Sequence, residues 1–239
     1  RLQFKITFLI ADIYRKNREH KKSIPYYKNS LKQLENVLLD GLKIDKTLQK
    51  NLTENLLSLG GQYQLLRKND SAVFYYNKLL ELNFLDNETL DFKAKTYSNL
   101  SGIYQYDTTL VNHYEKAIEF AERAIAIHNK RNNKISQAQA TNNLANVYLL
   151  NGNFEKSKKK YFEGIRLIKR DTSRRAIRIT ASLYNNLSWA MRQLKEYKAY
   201  DYQETAYNMK NGLRDLEAQE MLERVTGEYN VDVVRKAGE

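Results

Sequence analysis

Three pairs of small polar residues stand directly before a leucine: Ser98–Asn99 before Leu100, Asn142–Asn143 before Leu144, and Asn185–Asn186 before Leu187. Gln105, Asn146 and Arg192 follow about one helical turn further along. An asparagine amide donates to a carbonyl and accepts from an N–H at once. A row of them at a regular interval could clamp the backbone of an extended peptide, each neutral bond netting about 0.5–1.5 kcal/mol. The competing reading is that one Asn of each pair bonds between neighbouring helices and serves packing. Trp189, the single tryptophan, lies two residues past Leu187. Its side-chain type is common at binding hot spots, with a core position as the alternative.

A second constellation is electrostatic. Between Lys156 and Arg178 ten basic residues, among them Lys158, Lys159, Lys160, Arg174, Arg175 and Arg178, meet only Glu163 and Asp171. Such a block could follow a phosphate backbone or another anionic partner. Aromatic interleaving is thin and no nucleic-acid motif accompanies it, so nucleic acid is the disfavoured partner. Tyr161, Phe162, Ile165, Ile168, Ile177 and Ile179 interrupt the charges at helical spacing, which also fits a solvated helix face. From Asp201 onward nine acidic residues face five basic ones.

Little else could do chemistry, and no catalytic residue, metal site or cofactor is expected. Cys is 0, which removes thiolate ligands, disulfides and cysteine nucleophiles together. His20, His113 and His128 have no metal-ligand spacing. Gly60–Gly61 lies inside a helical pattern and lacks the Lys-Ser/Thr ending of a phosphate loop. In 239 residues there is 1 Pro and 9 Gly, which excludes collagen-like and turn-dense all-β chains. No apolar run approaches the 18 residues of a membrane span.

These residues need elements to position them, and the elements repeat. Ile10, Leu59, Leu100, Leu144 and Leu187 recur at intervals of 41–49 residues. Each precedes a small residue: Ala11, Gly60, Ser101, Ala145 and Ser188. A second block follows in which Ser23, Ala72 or Ser157 precedes Tyr27, Tyr76 or Tyr161 by four. An aliphatic beside a small residue makes a knob next to a hole, which lets a partner helix approach to about 8–10 Å. One such helix pair cannot hide both faces, so pairs must stack. Period-2 alternation is absent, so no strand is expected.

The segment Thr141–Ile165, TNNLANVYLLNGNFEKSKKKYFEGI, carries Leu144, Ala145 and Tyr148, then Gly152 and Phe154, then Ser157, Tyr161 and Gly164. This pattern resembles the tetratricopeptide repeat (TPR) family. The resemblance implies an all-α, right-handed α-solenoid of antiparallel helix pairs. About five repeats are expected near 4–40, 46–83, 88–131, 134–170 and 173–211, followed by a capping helix and the start of a linker over 213–239. Helices are expected at 2–17 and 20–40, 46–67 and 70–83, 88–106 and 112–131, 134–151 and 154–170, 173–194 and 197–211, and 214–228. The repeats are longer than the family's common length and lack its usual proline between repeats. About four extra residues fall between Tyr104 and Ala117.

What the resemblance implies for function is a non-catalytic scaffold. Its first helices would line a concave groove for a protein or peptide, with Asn99, Asn142, Asn143, Asn146, Asn185, Asn186, Trp189 and Arg192 facing it. The ending EYNVDVVRKAGE resembles the junction in bacterial, Bacteroidetes-type TPR regulators. There the array leads through a linker and a membrane span to a histidine kinase or DNA-binding output domain. The pattern is already under way at Arg1, so the chain is expected to be part of a longer protein. Either side of a membrane, cytoplasmic or periplasmic, would suit it.

Overall fold

The computed structural model describes residues 3–39, 45–84 and 86–237. Among these there are ten helices and no strand. They fall into two compact units, Arg1–Asn133 and Lys134–Glu239.

The first unit holds three helical hairpins. They are α1 (Gln3–Lys16) with α2 (His20–Leu39), α3 (Lys46–Leu65) with α4 (Asn69–Leu80), and α5 (Asn87–Tyr106) with α6 (His113–Lys130). Within it, α2 packs on α3, and both α3 and α4 pack on α5. The second unit holds α7 (Lys134–Leu150) with α8 (Phe154–Ile168), and α9 (Arg174–Gln193) with α10 (Ala199–Ala237). There α7 and α8 both pack on α9.

Local chemistry sets the helix ends. Asp45, Asp86, Asn153 and Ser173 each accept a first-turn backbone N–H with their side chain. Four of the five hairpin turns share one device. Arg18, Arg67, Gly152 and Lys195 take left-handed backbone angles, φ between 57° and 74°. The next residue's N–H then bonds back to the last helical turn: Glu19 to Tyr14 O, Lys68 to Tyr63 O, Asn153 to Tyr148 O and Glu196 to Met191 O. Only one of these four positions is a glycine, the residue that adopts such angles without cost. The α5–α6 connection differs. Its six residues, Asp107–Asn112, absorb the expected insertion, and Asp107 accepts from the Thr109 and Asn69 side chains.

The cores repeat as well. Ala11, Gly60, Ser101, Ala145 and Ser188 are all buried. The Ser101 hydroxyl donates across the hairpin to Ala117 O at 2.8 Å, and Ser157 donates to Ala145 O at 2.9 Å. Such contacts need backbones close together, which only small residues allow. Tyr27, Tyr76 and Tyr161 are wholly buried and fill the space beside them.

One expected boundary differs. The helices placed at 197–211 and 214–228 form the single helix α10. Gly212 meets no packing conflict there. One glycine costs a helix interior only about 1 kcal/mol, and the residues after it are mostly strong helix formers. Residue 40, at the end of the first expected repeat, and residues 238–239 of the expected linker lie outside the described residues, as do the side chains of the closing motif EYNVDVVRKAGE beyond Glu228.

Candidate functional site

The buried tyrosines organise the polar groups of the first helices. In the first repeat the Tyr27 hydroxyl donates to Asp12 Oδ1 at 2.8 Å, fifteen residues back. In the fourth, the Tyr161 hydroxyl donates to Asn146 Oδ1 at 2.6 Å, again fifteen residues back. The same step from Tyr76 lands on Gly61, which has no side chain. The Tyr76 hydroxyl reaches Gln64 Oε1 instead, at 2.8 Å. Burial raises the pKa of both Tyr27 and Tyr76, so these hydroxyls stay protonated donors. Asp12 is held below the usual carboxylate range, first by the hydrogen bond it accepts from Arg15 and also by that from Tyr27.

The asparagines join this system from the following repeat. Asn99 Nδ2 donates to the Tyr76 hydroxyl at 2.9 Å. Asn186 Nδ2 donates to Asn146 Oδ1 at 3.1 Å and to Asn142 Oδ1 at 3.2 Å. Asn142 is 3% exposed. Asn143 is half-buried and accepts from Gln139 one turn earlier; Asn185 is half-buried and donates to Asn186 Oδ1 at 3.4 Å. So Asn99 and Asn186 use amide hydrogens to tie one helix pair to the one before it, while Asn143 and Asn185 bond only within their own helix.

Trp189 is exposed on α9. The Arg192 guanidinium lies 5.4 Å from its ring centre and 5.5 Å from that of Tyr200 on α10. Arg192 also donates to Gln203. Arg192 is half-buried, held against the two aromatic faces.

The first unit adds two adjoining clefts that share Gln64. One, about 550 Å³, is lined by Arg15, His20, Leu57, Gln62, Leu65 and Asn99 among others. The other, about 660 Å³, lies among Arg67, Asn69, Gly102, Ile103, Tyr106 and the 107–109 loop. His20 Nδ1 is 2.8 Å from Gln62 Oε1, which also accepts from Ser23 Oγ. The walls thus alternate fixed amide groups with the apolar Leu57, Leu65, Ile103 and Tyr106.

The basic block spans α8, a turn and α9, and four of its ten cations pair with acids. Lys158 pairs with Glu155 and Glu196, and Lys160 with Glu163. Arg174 and Arg178 pair with Glu220 and Glu217 on α10, while Arg175 donates to Ser136. Lys159 is exposed on α8.

Comparison with known proteins agrees with this architecture. Residues 5–33 match the sequence model of the tetratricopeptide repeat. No protein of curated function matches the chain. Among solved structures, the apo form of RapI superposes with a TM-score of 0.75 at 14% identity, over 91% of this chain and 73% of that one. Nearly identical TPR-like repeats of a Podosopora anserina putative kinesin light chain give 0.59 at 13% identity, over 92% and 96%. This is a tetratricopeptide repeat fold. Bacillus thuringiensis PlcR, in complex with the peptide PapR7 and DNA, gives 0.55 at 16% identity, covering 93% of this chain and 73% of its own.

Of the cleft residues in this TPR fold, sequence reasoning singled out only Asn99. Arg15, His20, Gln62 and Gln64 were missed because they lie outside the Asn–Leu motif. A signal for Asp12, also missed, did exist, in the fifteen-residue step to Tyr27 that Asn146 repeats to Tyr161.

Proposed function

We propose that the chain is a non-catalytic scaffold that binds a protein or peptide segment across the first helices of its repeats. The observation that carries this reading is the pair of adjoining clefts on α1, α3 and α5. They offer fixed donors and acceptors beside exposed apolar side chains, the combination that holds an extended backbone and selects its side chains. The peptide complex of the structurally similar PlcR supports the reading. Asn143, Asn185, Trp189 and Arg192 form a separate candidate contact surface in the second unit. The role is that of the sensing or interaction part of a bacterial regulator, whose occupancy biases a histidine kinase or DNA-binding output domain elsewhere in the protein. Among the described residues no helix is long and apolar enough to cross a membrane.

The anionic-partner reading through Lys158, Lys159, Lys160, Arg174, Arg175 and Arg178 is weaker, because acids already answer four of these six cations. A phage-displayed library of random peptides, selected on the immobilised chain, tests the proposal. Enriched peptides should bind Leu65→Glu at least about tenfold more weakly, since losing one buried leucine contact costs about 1.5–3 kcal/mol. They should bind Lys159→Ala unchanged and depend weakly on salt. A library that yields nothing, or peptides indifferent to Leu65→Glu, would refute it.

A further inference from the structure

Gly61 and Gly102 stand two residues past the leading leucine of the second and third repeats. Gly61 lines the smaller cleft of the first unit and Gly102 the larger. Packing demands neither glycine. Outside the helix backbone, the nearest atom to a Cβ added at Gly61 would be the Tyr76 hydroxyl, at 3.9 Å; at Gly102 it would be Gln64 Nε2, also at 3.9 Å. Neither residue takes a left-handed angle. Gly60 and Gly164 differ, with side-chain atoms at 2.3 and 2.8 Å from such a Cβ. A glycine inside a helix weakens it relative to alanine, so the fold gains nothing from Gly61 and Gly102. Gly212 and Gly227 are as unconstrained but exposed on one helix. Gly61 and Gly102 are half-buried and share one register on helices that pack together.

The same register elsewhere holds a side chain: Asp12, Asn146 and Trp189 in the other repeats. Asp12 and Asn146 there meet the hydroxyls of Tyr27 and Tyr161. Where these side chains stand, Gly61 and Gly102 leave hollows. A separate observation points to an occupant. Gln62 is 3% exposed and lines the first cleft. Its Oε1 faces His20 Nδ1 at 2.8 Å and accepts from Ser23 Oγ, while its amide hydrogens donate to no described residue. Gln64 repeats the arrangement. Its Oε1 accepts from the Tyr76 hydroxyl, and its Nε2, the atom beside Gly102, likewise donates to no described residue. Polar hydrogens in such places need acceptors, and these must come from whatever fills the clefts.

Resting on the peptide-binding reading above, we propose that Gly61 and Gly102 are the floors of two side-chain subsites. Each takes one long side chain of a bound, extended segment. The stem lies on Leu57 and Leu65 in the first cleft and on Ile103 and Tyr106 in the second. The tip accepts from Gln62 or Gln64. The matching chemistry is an apolar stem with an acceptor end: glutamine, glutamate or tyrosine. Packed helices lie about 8–10 Å apart. A polyproline-type segment crossing from α3 to α5 turns every three residues and rises about 9 Å as it does so. The two side chains are therefore three residues apart.

Peptides enriched from a phage-displayed random library on the unaltered chain should carry two such residues at that spacing. Gly61→Asn and Gly102→Asn each put into a hollow the side chain that the fourth repeat has at this register. Both variants should keep urea midpoints at or above that of the unaltered chain, since asparagine is the better helix former. Each should bind the peptides at least about tenfold more weakly. Alanine at one of the two peptide positions should weaken binding to the unaltered chain and cost nothing further with the variant whose hollow received that residue. Peptides that lose affinity for Leu65→Glu yet bind both glycine variants undiminished would overturn the subsites and leave the groove standing. Weaker binding accompanied by a fall in urea midpoint would also overturn them, because the glycines would then serve packing. A library that yields nothing would overturn both readings.

Discussion

Adjacent glycines in α3 should respond in opposite directions to the same change. A Cβ added at Gly60 would lie 2.3, 2.5 and 2.9 Å from Cε1, Cδ1 and Cζ of Tyr76. That ring is wholly buried, and its hydroxyl is tied to Gln64 at 2.8 Å and Asn99 at 2.9 Å. It cannot move aside without straining both bonds. Overpacking of this kind costs about 1–3 kcal/mol, and each weakened hydrogen bond adds up to about 1 kcal/mol. The gain in helix propensity from Gly to Ala returns about 1 kcal/mol. Gly60→Ala should therefore destabilise by about 2 kcal/mol. At Gly61 the added Cβ meets only the Tyr76 hydroxyl, at 3.9 Å, an ordinary contact. Gly61→Ala should keep the propensity gain and stabilise by about 1 kcal/mol. With a urea slope of about 2 kcal/mol/M, the two variants should differ by about 1.5 M in midpoint, followed by far-UV circular dichroism. Removing the obstacle should reverse the sign, so that Gly60→Ala made on top of Tyr76→Ala costs nothing further. Equal midpoints for the two single variants, or an undiminished penalty without the ring, would refute the claim that this tyrosine sets the approach of α3 and α4.

Other consequences follow from the turns, the amides and the carboxylate. Arg67→Gly and Lys195→Gly should each raise the urea midpoint, because a side chain at a left-handed angle costs about 1 kcal/mol, while Gly152→Ala should lower it by a similar amount. Asn186→Ala leaves the buried Asn142 carbonyl short of a donor and should cost about 1–3 kcal/mol; Asn143→Ala, which loses one bond within its own helix, should cost clearly less in the same melt. Asp12 has a folded pKa below its unfolded value, so its contribution is present above about pH 4 and is lost as the pH falls through the lowered value. Urea midpoints of Asp12→Asn should accordingly fall less between pH 7 and pH 3 than those of the unaltered chain.

Much of this architecture was legible because helix ends are chemically local. Asp45, Asp86, Asn153 and Ser173 cap in the way their side chains allow, and most helix bounds fall within two residues of those expected from sequence. The left-handed turns were legible only at Gly152, since Arg18, Arg67 and Lys195 hold the same geometry with residue types that do not advertise it. Gly212 misled in the opposite sense, as a glycine without a turn. The partial pairing of the basic block was hidden for a different reason. Arg174 and Arg178 meet Glu220 and Glu217 only once α10 has run back along the whole of α9, and no window of sequence contains both. The asparagine row was visible, but its destination depended on where the neighbouring tyrosine hydroxyls would fall.

That dependence bears on how the proposed groove would respond to an occupant. Asn99 and Asn186 reach back into the preceding repeat and end on the same polar tips that the buried tyrosines hold from below. In the first unit one of these groups, Gln64, which accepts from the Tyr76 hydroxyl, lines both clefts. A ligand backbone that bonds Gln64 or Asn99 competes with the bonds that set the spacing of adjacent repeats. Binding energy and stacking energy are then drawn from one small network, each bond in it netting about 0.5–1.5 kcal/mol. An occupant need supply only two or three such bonds to shift how α3 sits on α5. A cleft made of unbonded side chains could bind as tightly, yet it would leave the stack unaware of its occupant.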